Sequence, residues 1–145
     1  MEPRISIITL GVKNLQRARD FYQNVFGWIP GEGSNESIVF FKLNGLQLAL
    51  FPQESLADDA GVSAEGSGFK RFSLAHNVHS EQEVDELVAQ LEHNGATVVK
   101  RPEKVFWGGY SSYISDPDDN LWEIAYNPFL KAEAVSSDNN HTSMH

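Results

Sequence analysis

The stretch SDPDDNLWEIAYNP, residues 115–128, decides the fold. Asp116-Pro117-Asp118-Asp119-Asn120 is turn chemistry, because Pro presets φ and Asp and Asn side chains bond to their own backbone. It runs straight into an alternating segment. Trp122, Ile124 and Tyr126 fall on one face of a strand, and Leu121, Glu123, Ala125 and Asn127 fall on the other. That is the pattern of half-buried sheet, broken by one carboxylate, Glu123. The three aspartates do not make a calcium loop, because the spacing of Gly and Glu that an EF-hand needs is missing.

Working outward, GYSSYIS predicts the strand that pairs with this segment, and TVVKR predicts another before it. Further upstream, Ser80 and Glu83 form a capping box that opens a helix. Its apolar stripe is Val84, Leu87, Val88 and Leu91, and Gly95 ends it. RFSLAHNV predicts the strand before that helix. The same order occurs in the first half. Ile5 to Val12 reads as a strand, Asn14 caps a helix whose apolar face is Leu15, Ala18, Tyr22, Val25 and Phe26, and Gly27 stops it. WIP predicts a short edge strand. IVFFKL and LQLALF predict a hairpin about Asn44-Gly45. The halves end alike, in GLQLALFP and NLWEIAYNP, and aligning Pro52 with Pro128 places Gln47 on Glu123. The sequence therefore predicts a duplication: a first module over 1–52, an acidic, Gly/Ser-rich linker or flap over 53–69, a second module over 70–128, and a disordered tail over 129–145.

The 145 residues carry a net charge of −9 and no cysteine. Acidity without a basic stripe argues against nucleic acid and against an anionic membrane surface, and is most simply solubility. Disulfides and cysteine-based metal sites are excluded. No secretory h-region or membrane-spanning run is present, so the expected compartment is the cytoplasm.

Three pieces resemble the vicinal oxygen chelate superfamily of glyoxalase I, bleomycin-resistance proteins and extradiol dioxygenases: ITLGVKNLQRARDFYQNVFGW, ELVAQLEHNGATVVKRP and FWGGYSSYISDPDDNLWEIAYNP. The resemblance spans about residues 4–128. It implies an α+β fold of two βαβββ modules, whose eight strands form a curved sheet around a cleft, in a homodimer. In metal-dependent members, ligands come from the first and last strands of each module. Carried over, those positions are Ile7, Gln47, Phe72 and Glu123. Ile and Phe offer no lone pair, so no metal centre is expected. The alternative is a divalent metal held through Gln47 and Glu123.

Alternation then gives the expected lining of the cleft. Ile7, Thr9, Gln47, Ala49 and Phe51 come from the first module, and Phe72, Leu74, Tyr113, Leu121 and Glu123 from the second. Trp107, beside Gly108-Gly109, is placed either as a wall of the cleft or as core. Such an apolar, aromatic pocket with one acid and one amide suits a small-molecule ligand. Glu123 could pair with a ligand ammonium, accept a hydrogen bond, or act as a catalytic general base. Two functions stay open at this point. One is metal-free binding of a small, cationic or aromatic molecule. The other is a lyase, isomerase or dioxygenase of the glyoxalase type.

Overall fold

The computed structural model describes residues 1–129 and has seven strands and three helices among them. They fall into two compact units that divide between Gly68 and Phe69. The fold is α+β, with each unit carrying its own mixed sheet.

In the first unit, β1 (Ile7–Val12) lies beside β3 (Gln47–Pro52) and parallel to it, and β2 (Val39–Lys42) pairs antiparallel with β3 on its other side. Helix α1 (Leu15–Asn24) covers the face that carries Leu10, Val12, Val39, Phe41, Leu48 and Leu50, all buried. Its start is set by Asn14, whose side-chain oxygen accepts the Arg17 backbone N–H at 2.9 Å. The β2–β3 turn closes as its Asn-Gly signal predicts: Leu43 N–H donates to Leu46 at 2.8 Å, and Gly45 takes φ +80.

Two expectations for this unit are corrected. The edge strand at Trp28–Pro30 does not form, so the strands among the described residues number seven and not eight. Trp28 instead turns inward. Its backbone N–H donates to Tyr22 at 3.1 Å, and its indole packs among Tyr22, Phe26 and Phe41. Burying an indole in an aromatic cluster outweighs the few ladder bonds of a three-residue edge. The supposed flap begins with a helix, α2 (Gln53–Ala60), set between Pro52 and a left-handed Gly61. It lies against β1. A Cβ at Gly11 would come within 3.3 Å of the Gln53 backbone and the Leu56 side chain, so glycine permits the close approach.

In the second unit the strand order is β4 (Leu74–Val78), β7 (Leu121–Tyr126), β6 (Tyr110–Ser115) and β5 (Thr97–Lys104), with β4 parallel to β7 and the other pairs antiparallel. Helix α3 (Glu81–His93) packs on β5, β6 and β7 through Val84, Val88 and Leu91. Each such burial contributes roughly 1.5–3 kcal/mol. The bidentate pair Arg101–Glu92, at 2.7 Å, is exposed, so water and salt screen it. The apolar stripe therefore holds the helix, and the surface charges only trim it. Ser80 caps α3, accepting the Glu83 N–H at 3.1 Å as the capping box requires, while the Glu83 carboxylate reaches one residue past the cap and accepts the His79 N–H at 3.3 Å. Among the described residues no helix is long and apolar enough to cross a membrane. The tail expected from 129 onward lies, apart from Phe129, outside the described residues.

The turn before β7 is built on Asp116. Its buried carboxylate accepts the N–H of Asp118 at 2.9 Å, the N–H of Asn120 at 2.8 Å and the Asn120 side-chain amide at 2.8 Å. Removing a charged acceptor strands three donors, so Asp116→Ala is expected to lower unfolding free energy by about 3 kcal/mol in urea titration. Asp116→Asn, which keeps one acceptor, should lose less; equal stability of all three proteins would show that this turn does not organise the strand.

Candidate functional site

Register sorts the expected site residues. In the first unit Ile7 stands opposite Gln47, Thr9 opposite Ala49 and Gly11 opposite Phe51. Partners across a ladder share a face, so Ile7, Thr9, Gln47, Ala49 and Phe51 come together as expected from alternation. Helix α2 covers the Gly11 end of this face, while Ile7 and Gln47 stay exposed at the other end. Lys42 stands opposite Gln47 on β2. Lys42 and Gln47, with Ser6 and Glu32, line an open hollow of about 640 Å³.

In the second unit Glu123 lies between Tyr113 on β6 and Ala75 on β4. Leu121 shares its face by alternation. Leu74 does not. It stands opposite Trp122, whose ring is buried on the helix side, so the expectation that Leu74 lines the site is corrected by the β4–β7 register. The position that stands to Glu123 as Ile7 stands to Gln47 is Ala75, not Phe72. Phe72 precedes β4, just after Arg71 at φ +65, where the chain has not yet entered the ladder. His76 stands opposite Ile124, likewise on the face away from Glu123.

Phe72 nonetheless reaches the site. With Phe69, Ser73, Tyr113 and Leu121 it lines a hollow of about 330 Å³, in the size range of small-molecule pockets. The same hollow is bounded by Val99 and Lys100 of β5, which the alternation argument missed. The available signal was Pro102, since proline inside a strand points to an edge or a bulge. Both occur here. β5 is the edge of its sheet, and its pairing slips on either side of Lys100.

Trp107 lies elsewhere. It sits in the turn closed by the Val105 N–H donating to Gly109 at 3.0 Å, and its indole folds over Gly109 so closely that any Cβ there would overlap the ring. It is half-buried against its own turn and does not line the hollow.

The electrostatics of the face centre on Tyr113. Burial, and secondarily the neighbouring Glu123 carboxylate, push its phenol above the ordinary tyrosine range. It is therefore a neutral hydrogen-bond donor at working pH. The contrast is Tyr110, which faces the helix, donates to Asp85 at 2.7 Å and is pushed up to about 12 chiefly by that bond. Metal chemistry finds a poor fit. Ile7, Phe72 and Ala75 carry no donor atom, and among the described residues no three His, Cys, Asp or Glu side chains gather where they could hold an ion. A divalent centre usually takes three protein ligands or more.

Comparison with known proteins agrees with the architecture. The profile of the Glyoxalase/Bleomycin resistance protein/Dioxygenase superfamily matches residues 4–124. A glyoxalase-related enzyme from Fulvimarina pelagi is 36% identical, covering 87% of this chain and 89% of its own, with a TM-score of 0.77. A lactoylglutathione lyase from Agrobacterium tumefaciens is 26% identical over 88% of this chain and 96% of its own, at a TM-score of 0.68. A genomically encoded fosfomycin resistance protein from Listeria monocytogenes is 27% identical over 89% and 97%, at 0.67.

Ultraviolet difference titration should resolve the Tyr113 phenolate by subtraction of the Tyr113→Phe protein. Glu123→Gln is expected to move the Tyr113 midpoint down only part of the way, because burial, the larger cause, remains. Between the ordinary tyrosine value, about 10, and the raised values of Tyr110 and Tyr113, the unfolded chain releases protons that the folded chain keeps. Stability should therefore fall as pH rises through that window. A Tyr113 midpoint that does not move in Glu123→Gln would show that the two side chains do not interact.

Proposed function

The chain belongs to the Glyoxalase/Bleomycin resistance protein/Dioxygenase superfamily, and on that footing we propose that it binds a small, cationic or aromatic molecule on the Glu123 face without a metal. The observation that carries the reading is the cross-strand pair Tyr113–Glu123 beside an apolar hollow lined by Phe69, Phe72 and Leu121. The aromatic wall supplies contact area and a surface for a flat ring or a cation. The carboxylate accepts from a ligand ammonium, and the phenol donates to a ligand oxygen. Hydrocarbon at Ile7 and Ala75 supports a metal-free site. The same proposal makes the protein a cytoplasmic homodimer with no nucleic-acid or membrane partner. Its net charge of −9 supports the absence of nucleic acid.

A second reading, a glyoxalase-type lyase, isomerase or dioxygenase, is favoured by the likeness to the lactoylglutathione lyase and the glyoxalase-related enzyme. In that reading Glu123 is the general base and Tyr113 steadies the developing oxyanion.

Protein purified without chelator is expected to carry substoichiometric metal by elemental analysis. Thermal-shift hits from a panel of aromatic amines, cationic glycopeptides and glutathione adducts should persist in the presence of chelator. Glu123→Gln should weaken a cationic hit by roughly tenfold to a hundredfold, the usual worth of a charged hydrogen bond. Stoichiometric nickel, zinc, manganese or iron would overturn the metal-free reading and favour the enzyme.

A further inference from the structure

Resting on the reading that the Glu123 face is the ligand site, we infer that Lys100 is its specificity determinant and that the ligand is amphoteric. It would be a one- or two-ring organic molecule with an anionic group at Lys100 and an N–H or O–H donor at Glu123.

The local backbone carries this. On β5 Val98 stands opposite Ile114, but the next pair is Lys100 with Tyr113, so two residues of β5 advance against one of β6. That is a β-bulge, a device that re-aims side chains. Its effect is visible in the lining: Val99 and Lys100, adjacent in sequence, both border the same hollow, which a regular strand would forbid. The bulge is anchored from below. Ser112, fully buried, donates its hydroxyl to the Lys100 carbonyl at 2.6 Å. A second slip follows between Lys100 and Glu103. Lys100 is thus set off from the regular ladder on both sides.

The result is a row across one sheet face: Lys100, Tyr113, Glu123 and Ala75, one from each strand. Lys100 and Glu123 stand two strand spacings apart, about 10 Å. Tyr113, neutral and donating, lies between them. Phe69, Phe72, Val99 and Leu121 supply the apolar bed. Among the described residues the Lys100 ammonium has one partner within ion-pair range, Glu103 at 3.8 Å, and both side chains are about half exposed (52% and 55%). Such a pair is weak and screened, so it yields readily to an incoming anion. A purely cationic ligand would meet repulsion at Lys100, whereas a purely anionic one would meet it at Glu123. A molecule bearing both kinds of group satisfies the row.

The test uses the full chain and two fluorescent probes. Anilinonaphthalene sulfonate has two aromatic parts, a bridging N–H and an anion. Phenylnaphthylamine is the same aromatic amine without the sulfonate. The wild-type protein is expected to bind the sulfonate the more tightly. Lys100→Gln should lower the ratio of sulfonate to amine affinity by about fivefold to tenfold, and Lys100→Arg should keep it. A ratio that is the same in wild type and Lys100→Gln overturns the role of Lys100. Leu121→Asp separates that outcome from failure of the site itself. Loss of both probes in Leu121→Asp places them in the hollow. Undiminished binding of both there, or no binding to the wild type, overturns the Glu123-face reading and this inference with it.

Discussion

The ladder partners of β7 decide what the second unit can do. β7 is flanked by β6 and β4, so each of its side chains has a neighbour on both sides. Glu123 therefore stands between Tyr113 and Ala75, and its face cannot rotate without moving Trp122 and Ile124 out of the core. A slip of one residue would place the carboxylate under α3 and an indole in water. The cost of that exchange, several kcal/mol on the apolar side alone, is what fixes the carboxylate beside the phenol. The Asp116 turn, which launches β7, sets the same register from the other end.

Two carboxylate–phenol relationships in this unit show how position changes chemistry. Tyr110 and Tyr113 sit three residues apart on one strand and point to opposite faces. Tyr110 is bonded to Asp85 of α3 and ties helix to sheet. Tyr113 lines a hollow, with its proton held by burial and by Glu123. The first is spent on structure, whereas the second faces a space that a ligand can enter. Superfamily membership fits either a binding protein or an enzyme on this scaffold, because fold alone does not choose between them.

The duplication is real in order but unequal in detail. Both units run strand, helix, then strands, and in both the first strand lies parallel to the last. The first unit lacks the strand expected at Trp28–Pro30, since Trp28 joins an aromatic core, and it gains α2. The register differs as well. The family resemblance places Phe72 as the counterpart of Ile7, while the ladder gives Ala75 that place. A resemblance carried along the chain does not fix how far one strand has run past its neighbour.

The superfamily resemblance carried the α+β class; local patterns in the sequence determined the caps of α1 and α3, the Asn44-Gly45 turn and the face on which Glu123 lies. Each of these local features follows from contacts only a few residues apart: a capping side chain, a two-residue turn, a period of two. Tertiary structure decided what depends on pairing between distant segments. It placed Leu74 under the helix with Trp122, brought Phe72 to the hollow from outside the strand, and folded Trp107 onto its own turn. It also brought Val99 and Lys100 to one side through a bulge, because the extra residue is defined by the partner strand and not by the strand that carries it.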